Sequence, residues 1–199
     1  MTKKTNRLCA ALAAIVCFGA VDQAAADTIQ STKRVTAINA SVSPSKAERK
    51  FKAYITGYGF WDNTPPGSAA ISKPTVHQRA GGTGTYRDPV TIAVGHSIKG
   101  GNQTLDYAPG TRFYIKRLRK YAVVEDVCGD GNTPQAGPCH TGYKGHPWLD
   151  VYIGGGKHGA SATMACARRI TAIQDIVIHP GPDYPVFAGE ITASGCKIF

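Results

Sequence analysis

The chain has 199 residues and a formal charge of +10, with 42% apolar and 18% charged residues. That length and apolar content suffice for one domain with a real core and exclude a wholly disordered polyelectrolyte. No internal repeat or low-complexity segment is present, which excludes a solenoid, and the basic excess bears on which partners the chain meets, not on what it does to them.

Lys3, Lys4 and Arg7 precede an uncharged, mostly apolar run from Leu8 to Val21, and Ala24 and Ala26 give a small-x-small cleavage site before Asp27. This predicts a signal peptide over residues 1–26 and a secreted or periplasmic destination, because the run is short for a membrane span. Lys3, Lys4 and Arg7 against Asp22 account for +2 of the charge, leaving +8 on the mature chain. Residues 27–50 are polar, with Pro44 among Ser, Thr, Ala and Lys, and read as a tail or linker with one short strand at Arg34–Ile38. A domain over residues 51–199 follows.

Dense turn signals from Asn63 onward punctuate short β-rich runs. The expected strands are Ala53–Tyr58, Pro74–His77, Val90–Val94, Arg112–Ile115, Tyr121–Glu125, Trp148–Ile153, Asp175–Ile178 and Phe187–Ile191, which together indicate an all-β barrel or sandwich. One helix is expected at Ser161–Ile170, with Met164, Ala165 and Ala167 packing on the strands. Gly81–Tyr86 is Gly-rich but lacks the Lys-Ser/Thr ending of a phosphate loop and reads as a tight turn. Arg112, Lys116, Arg117, Arg119 and Lys120 form a basic cluster, read as a solvated face or a polyanion patch.

The mature chain keeps Cys128, Cys139, Cys166 and Cys196, an even count that predicts two disulfides in an exported protein. Of three pairings, Cys128–Cys139 is preferred because it staples the central loop, and Cys166–Cys196 because it ties down the C-terminus. Zinc is the rival at Cys128, Cys139, His140 and His146, but the spacing matches no common finger, and no metal or cofactor is expected.

The stretch Tyr121–Gly156 organises the rest. Its first strand ends in Glu125 and Asp126, and its second holds Asp150 between Leu149 and Val151. Strand alternation sends Leu149 and Val151 inward and Asp150 outward, into solvent or a groove. Upstream, Tyr58-Gly59-Phe60-Trp61-Asp62-Asn63 sets aromatics beside an acid, as sugar-binding rims do. Asp62 is either a second carboxylate for glycoside chemistry or a turn former before Pro65-Pro66-Gly67.

The runs Pro109–Ile115, Tyr121–Asp126 and Trp148–Gly155, with Tyr58–Gly67 and Gly81–Pro89 upstream, resemble the double-psi β-barrel superfamily. That group holds rare-lipoprotein-A-like proteins, expansins and loosenins, family 45 endoglucanases and membrane-bound lytic transglycosylase A; the pattern is closest to a branch of small secreted proteins, many of them fungal. The resemblance spans most of Tyr54 to Ile178. It implies a six-stranded double-psi barrel with an open groove, Asp150 as general acid, Asp126 supporting the groove and Asp62 as base. Leu149 stands where relatives carry an aromatic, the loop after Asp126 is longer, and no β-sandwich module follows. The function expected is binding or cleavage of a wall polysaccharide such as peptidoglycan or a plant or fungal glycan. Tyr58, Trp61, Trp148 and His146 are the contact residues, and turnover would be that of a glycoside hydrolase or lytic transglycosylase. Expansin-like binding without cleavage, and a secreted effector or protease inhibitor, are the alternatives. Nucleic acid is not an expected partner, and the mature chain is expected to be a monomer without a membrane span.

Overall fold

The structure, a computed structural model, describes residues 46–129 and 131–199. The expected signal peptide, most of the expected tail and the strand expected at Arg34–Ile38 lie outside the described residues.

Among the described residues eight strands are formed. They are β1 (Arg49–Tyr58), β2 (Val90–Val94), β3 (His96–Lys99), β4 (Asn102–Leu105), β5 (Arg112–Ile115), β6 (Lys120–Val127), β7 (Trp148–Tyr152) and β8 (Ala172–Ile178), with a one-turn helix α1 (Pro138–Thr141) and a longer α2 (Ala160–Ile170). Six strands close a barrel in the order β1-β7-β2-β6-β5-β8, while β3 and β4 form a separate hairpin. The pairs β1–β7 and β2–β6 are parallel and the other named barrel pairs antiparallel. Closure leaves no barrel edge for another chain to pair with.

Period-two burial sets which side chains fill the barrel. Ala53 and Ile55 of β1, Val90, Ile92 and Val94 of β2, Ala122 and Val124 of β6, and Leu149 and Val151 of β7 share one core. Lys52, Tyr54, Thr56 and Tyr58 therefore line the outer face of β1. The outer face of β5–β6 is covered by tyrosines, with Tyr114, Tyr121 and Val177 clustered under Tyr86 and Tyr184.

Helix α2 buries Thr163, Cys166, Ala167 and Ile170 at helical spacing. Of the positions expected to pack, Ala167 does; Met164 and Ala165 face solvent, because the buried stripe is fixed by the Cys166–Cys196 disulfide and Ile170. The helix presses on β1 where that strand has no side chain. A Cβ at Gly57 would stand 2.8 Å from Ile170 Cδ1, and one at Gly59 2.4 Å from Thr163 Cγ2.

Two expected strands are not strands. Pro74–His77 is a loop whose backbone N–H groups bond a buried carboxylate, described below, instead of a ladder. Phe187–Ile191 is irregular and is held by the Lys120 ammonium, which bonds the carbonyls of Phe187, Gly189 and Thr83. Lys120 is accordingly buried at 2% exposure, not part of a solvated face. Burial lowers its pKa to about 8. The hairpin β3–β4 turns through Gly100 and Gly101, both at positive φ, where the sequence shows a turn but weak strands.

Candidate functional site

The site is a ladder of four outward residues on neighbouring strands. Thr56 of β1 pairs with Asp150 of β7, Asp150 with Ala93 of β2, and Ala93 with Asp126 of β6. With strands about 4.8 Å apart, Asp150 and Asp126 rise from backbones about 10 Å apart, with the methyl of Ala93 as the floor between them.

Asp126 reaches that face through an irregularity. Ala122 and Val124 point into the core, and strict alternation would send Asp126 after them. Between Ile92 and Ala93 the register shifts, so that Val124 opposes Ile92 but Asp126 opposes Ala93, leaving Glu125 as the extra residue. A bulge of this kind re-aims the side chain that follows it. Asp126 then accepts bonds from the Tyr58 hydroxyl at 3.0 Å, the Ser72 N–H at 3.0 Å and the Val127 N–H at 2.9 Å.

Asp150 accepts a 2.6 Å bond from the Thr56 hydroxyl, which itself accepts from Trp148 Nε1 at 2.7 Å. Burial pushes the Asp150 carboxyl up to about 7; the Thr56 bond opposes the rise and the charges of Asp62 and Asp126 add to it. Tyr58 is raised well above the ordinary tyrosine value by burial and by the two aspartates, and stays a phenol.

Asp62, Asp126, Asp150 and Tyr58 line one cleft of about 340 Å³, with Asn63, Ser72, Ala93 and Cys128 among its other walls. Asp62 also forms the expected turn, since its Oδ1 accepts the Gly59 N–H at 2.7 Å. The remaining expected contact residues are not among those lining this cleft, although Trp148 stands next to it through its bond to Thr56. Trp148 is half-buried against Tyr54, with centroids 4.7 Å apart. His146 closes a small loop by pairing with Tyr143. Trp61 is 40% exposed, with Nε1 bonded to the Gly155 carbonyl. Cys128–Cys139 and Cys166–Cys196 form the two disulfides, the first at the cleft wall.

The extra residue of the bulge has a use the sequence did not reveal. Glu125 is fully buried and its Oε1 accepts the N–H groups of Thr75, Val76 and His77, while Oε2 takes the Thr91 hydroxyl and the His77 ring. The other ring nitrogen of His77 lies 2.9 Å from Asp88. Together with the Ser72 bond to Asp126, this fastens residues 72–77 along the cleft as a strap. The sequence signal was an acidic pair, Glu125-Asp126, where alternation has room for one outward side chain.

The described residues include no group of three or more His, Cys, Asp or Glu side chains able to hold a metal ion, and no helix among them is long and apolar enough to cross a membrane. No solved structure matches the chain significantly. A Dictyostelium discoideum protein, DDB_G0273701/DDB_G0273221, is 30% identical over 145 residues, covering 71% of this chain and 56% of the relative, so the chain spans little more than half of that protein. The match to the family defined by the DDB_G0273701 N-terminal domain runs over residues 50–197, the whole barrel with its strap, helix and both disulfides, and the chain belongs to that family.

Proposed function

We propose that the chain is an exported protein that cleaves a wall polysaccharide, with Asp150 as the proton donor. The observation that carries this reading is a carboxyl that keeps its proton to about pH 7 in an open cleft. Breaking a glycosidic bond needs a proton on the leaving oxygen as positive charge builds on the sugar ring. A protonated Asp150 supplies it, and the ionised form that results is steadied by the Thr56 hydroxyl. Asp126, held by three hydrogen bonds, raises the affinity of Asp150 for its proton and offers negative charge to the ring. Asp62 commits one oxygen to Gly59 and leaves the other for a water; in a transglycosylase a substrate hydroxyl replaces that water. The two parallel pairs inside a six-stranded barrel support the double-psi resemblance, and the two disulfides support export.

The test is incubation of the mature protein with peptidoglycan, cellulose, chitin and pectin, scoring both co-sedimentation and soluble sugar. Asp150→Asn is expected to sediment normally and release nothing; undiminished release by that variant overturns the reading. The exposed ring of Trp61 favours a second reading, a wall-binding module without turnover. Sedimentation without sugar release, lost in Trp61→Ala and kept in Asp150→Asn, selects it.

A further inference from the structure

A second depression, of about 390 Å³, lies on the other flank of β1. It is lined by Lys52, Lys116, Arg117, Arg119 and a single acid, Asp175, with Phe199 at its end. Lys52 bonds Asp175 at 3.0 Å, and no other ion pair ties this group among the described residues. Arg119 lies over the Phe199 ring at 4.0 Å and Lys197 at 5.0 Å, so that ring helps hold the two cations in place. Of the basic cluster seen in the sequence, Lys120 is buried and Arg112 bonds the Tyr86 carbonyl. What remains is a cationic shelf assembled from β1, the turn after β5 and the C-terminal segment.

The acidic cleft and the shelf share β1. Lys52, Tyr54 and Thr56 are successive outward residues of that strand, which places the shelf about 13 Å from the Thr56–Asp150 pair at about 3.3 Å per residue. Between them Tyr54 packs in a tilted pair with Tyr143, with ring centroids 4.3 Å apart, and in a T-shaped pair with Trp148. The order along the strand is thus cations, aromatic rings, acids.

We propose that the shelf anchors a glycan bearing carboxylates at intervals, laid along β1 so that a charged sugar rests on the shelf while an uncharged linkage reaches Asp150. This rests on the glycan-cleaving reading of the cleft. Arginine forks and lysines pair with carboxylates, and the rings between suit an uncharged sugar face. A polymer charged at every sugar sets a carboxylate against Asp62, Asp126 and Asp150 and is repelled. A neutral polymer gains nothing from the shelf. Affinity therefore peaks at intermediate charge density.

The experiment uses the mature protein and two bead-coupled polymer series of graded charge, pectins from fully to un-esterified and celluloses from unmodified to heavily carboxymethylated. Partly charged members are expected to retain the protein about tenfold more tightly than either extreme at low salt, the preference shrinking as screening rises. Lys116→Gln/Arg117→Gln/Arg119→Gln is expected to flatten the series; Lys116→Gln/Arg119→Gln, which spares half-buried Arg117, gives the same answer if the triple variant folds poorly. Retention independent of charge in both series, absent from both, or rising with charge and matched by duplex DNA overturns the inference. If Asp150→Asn still abolishes cleavage of a neutral glycan while the charge series is flat, the shelf assignment fails and the cleft assignment stands.

Discussion

The Thr56 hydroxyl donates to Asp150 across 2.6 Å while accepting the Trp148 indole N–H. This bond favours the ionised carboxylate, against the burial that opposes it. Thr56→Val removes the bond and keeps the shape. Asp150 should then hold its proton to higher pH, and the alkaline limb of the cleavage profile should move upward from about 7. An unmoved limb would show that Asp150 is not the titrating acid.

Asp126→Asn acts in the opposite direction. Removing its charge removes one of the like charges that raise Asp150, so the alkaline limb should shift below that of the parent. A cleavage profile across pH 5–9 separates this shift from a simple loss of rate.

Asp150 also shapes stability. Its folded pKa of about 7 lies above the ordinary 3.8, so between those values the folded chain binds more protons than the unfolded one. Stability therefore falls as pH rises through that window and stays low above it. Asp150→Asn should remove this share of the fall, leaving only the share that His77 contributes, and be more stable than the parent at pH 8. The gain should be about 1–3 kcal/mol, below the full linkage value because the side chain keeps some exposure. Urea titrations at pH 5 and pH 8 measure it.

The His77 strap titrates with both signs. Burial alone would lower His77, but its bonds to Glu125 and Asp88 prevail and raise it above 6.5. That part of the stability is complete below 6.5 and is lost as pH climbs through the raised value. Glu125 is held below 4.5, its hydrogen bonds with His77 foremost outweighing burial, and Asp88 below 3.8 for the same reason. Their part is complete above those values and is lost on acidification through the lowered ones. The strap is tightest between about 4.5 and 6.5. His77→Ala leaves the buried Glu125 without its ring partner and should cost about 3 kcal/mol. Hydrogen exchange at the N–H groups of Val76 and His77 should accelerate with it.

Gly59→Ala tests the seam behind the site. Its Cβ would meet Thr163 Cγ2 at 2.4 Å and the Gly154 carbonyl at 2.7 Å. The expected cost is about 1–3 kcal/mol. Because Gly59 also donates to Asp62, cleavage should fall further than stability alone explains. Thermal melts and sugar release on the same preparation compare the two losses.

The barrel was legible wherever alternation and turns coincide, as at Val90–Val94 and Arg112–Ile115, whose bounds match the observed strands. Asp150 was legible for the same reason, since Leu149 and Val151 leave it one direction. Asp126 was legible as a residue type but not as a geometry, because its orientation depends on a register shift against β2 that no local pattern records. Pro74–His77 looks like a strand because Val76 sits among β-formers, yet its N–H groups satisfy a carboxylate about fifty residues away. Lys120 looks like surface because its partners are carbonyls from distant segments, which composition cannot express. The disulfide pairing followed from loop logic, since each bridge closes the segment nearest to it.

Of the described strands β1 is the first to leave the ribosome, yet both its barrel neighbours, β7 and β8, come from the last third of the chain. An emerging polypeptide holds that strand with bare flanks until nearly all of the barrel has been synthesised, and contacts of such separation form slowly. Thr56 and Asp150 meet only in that late pairing, so no fragment short of β7 contains the hydrogen-bonded pair on which the proposed reaction relies.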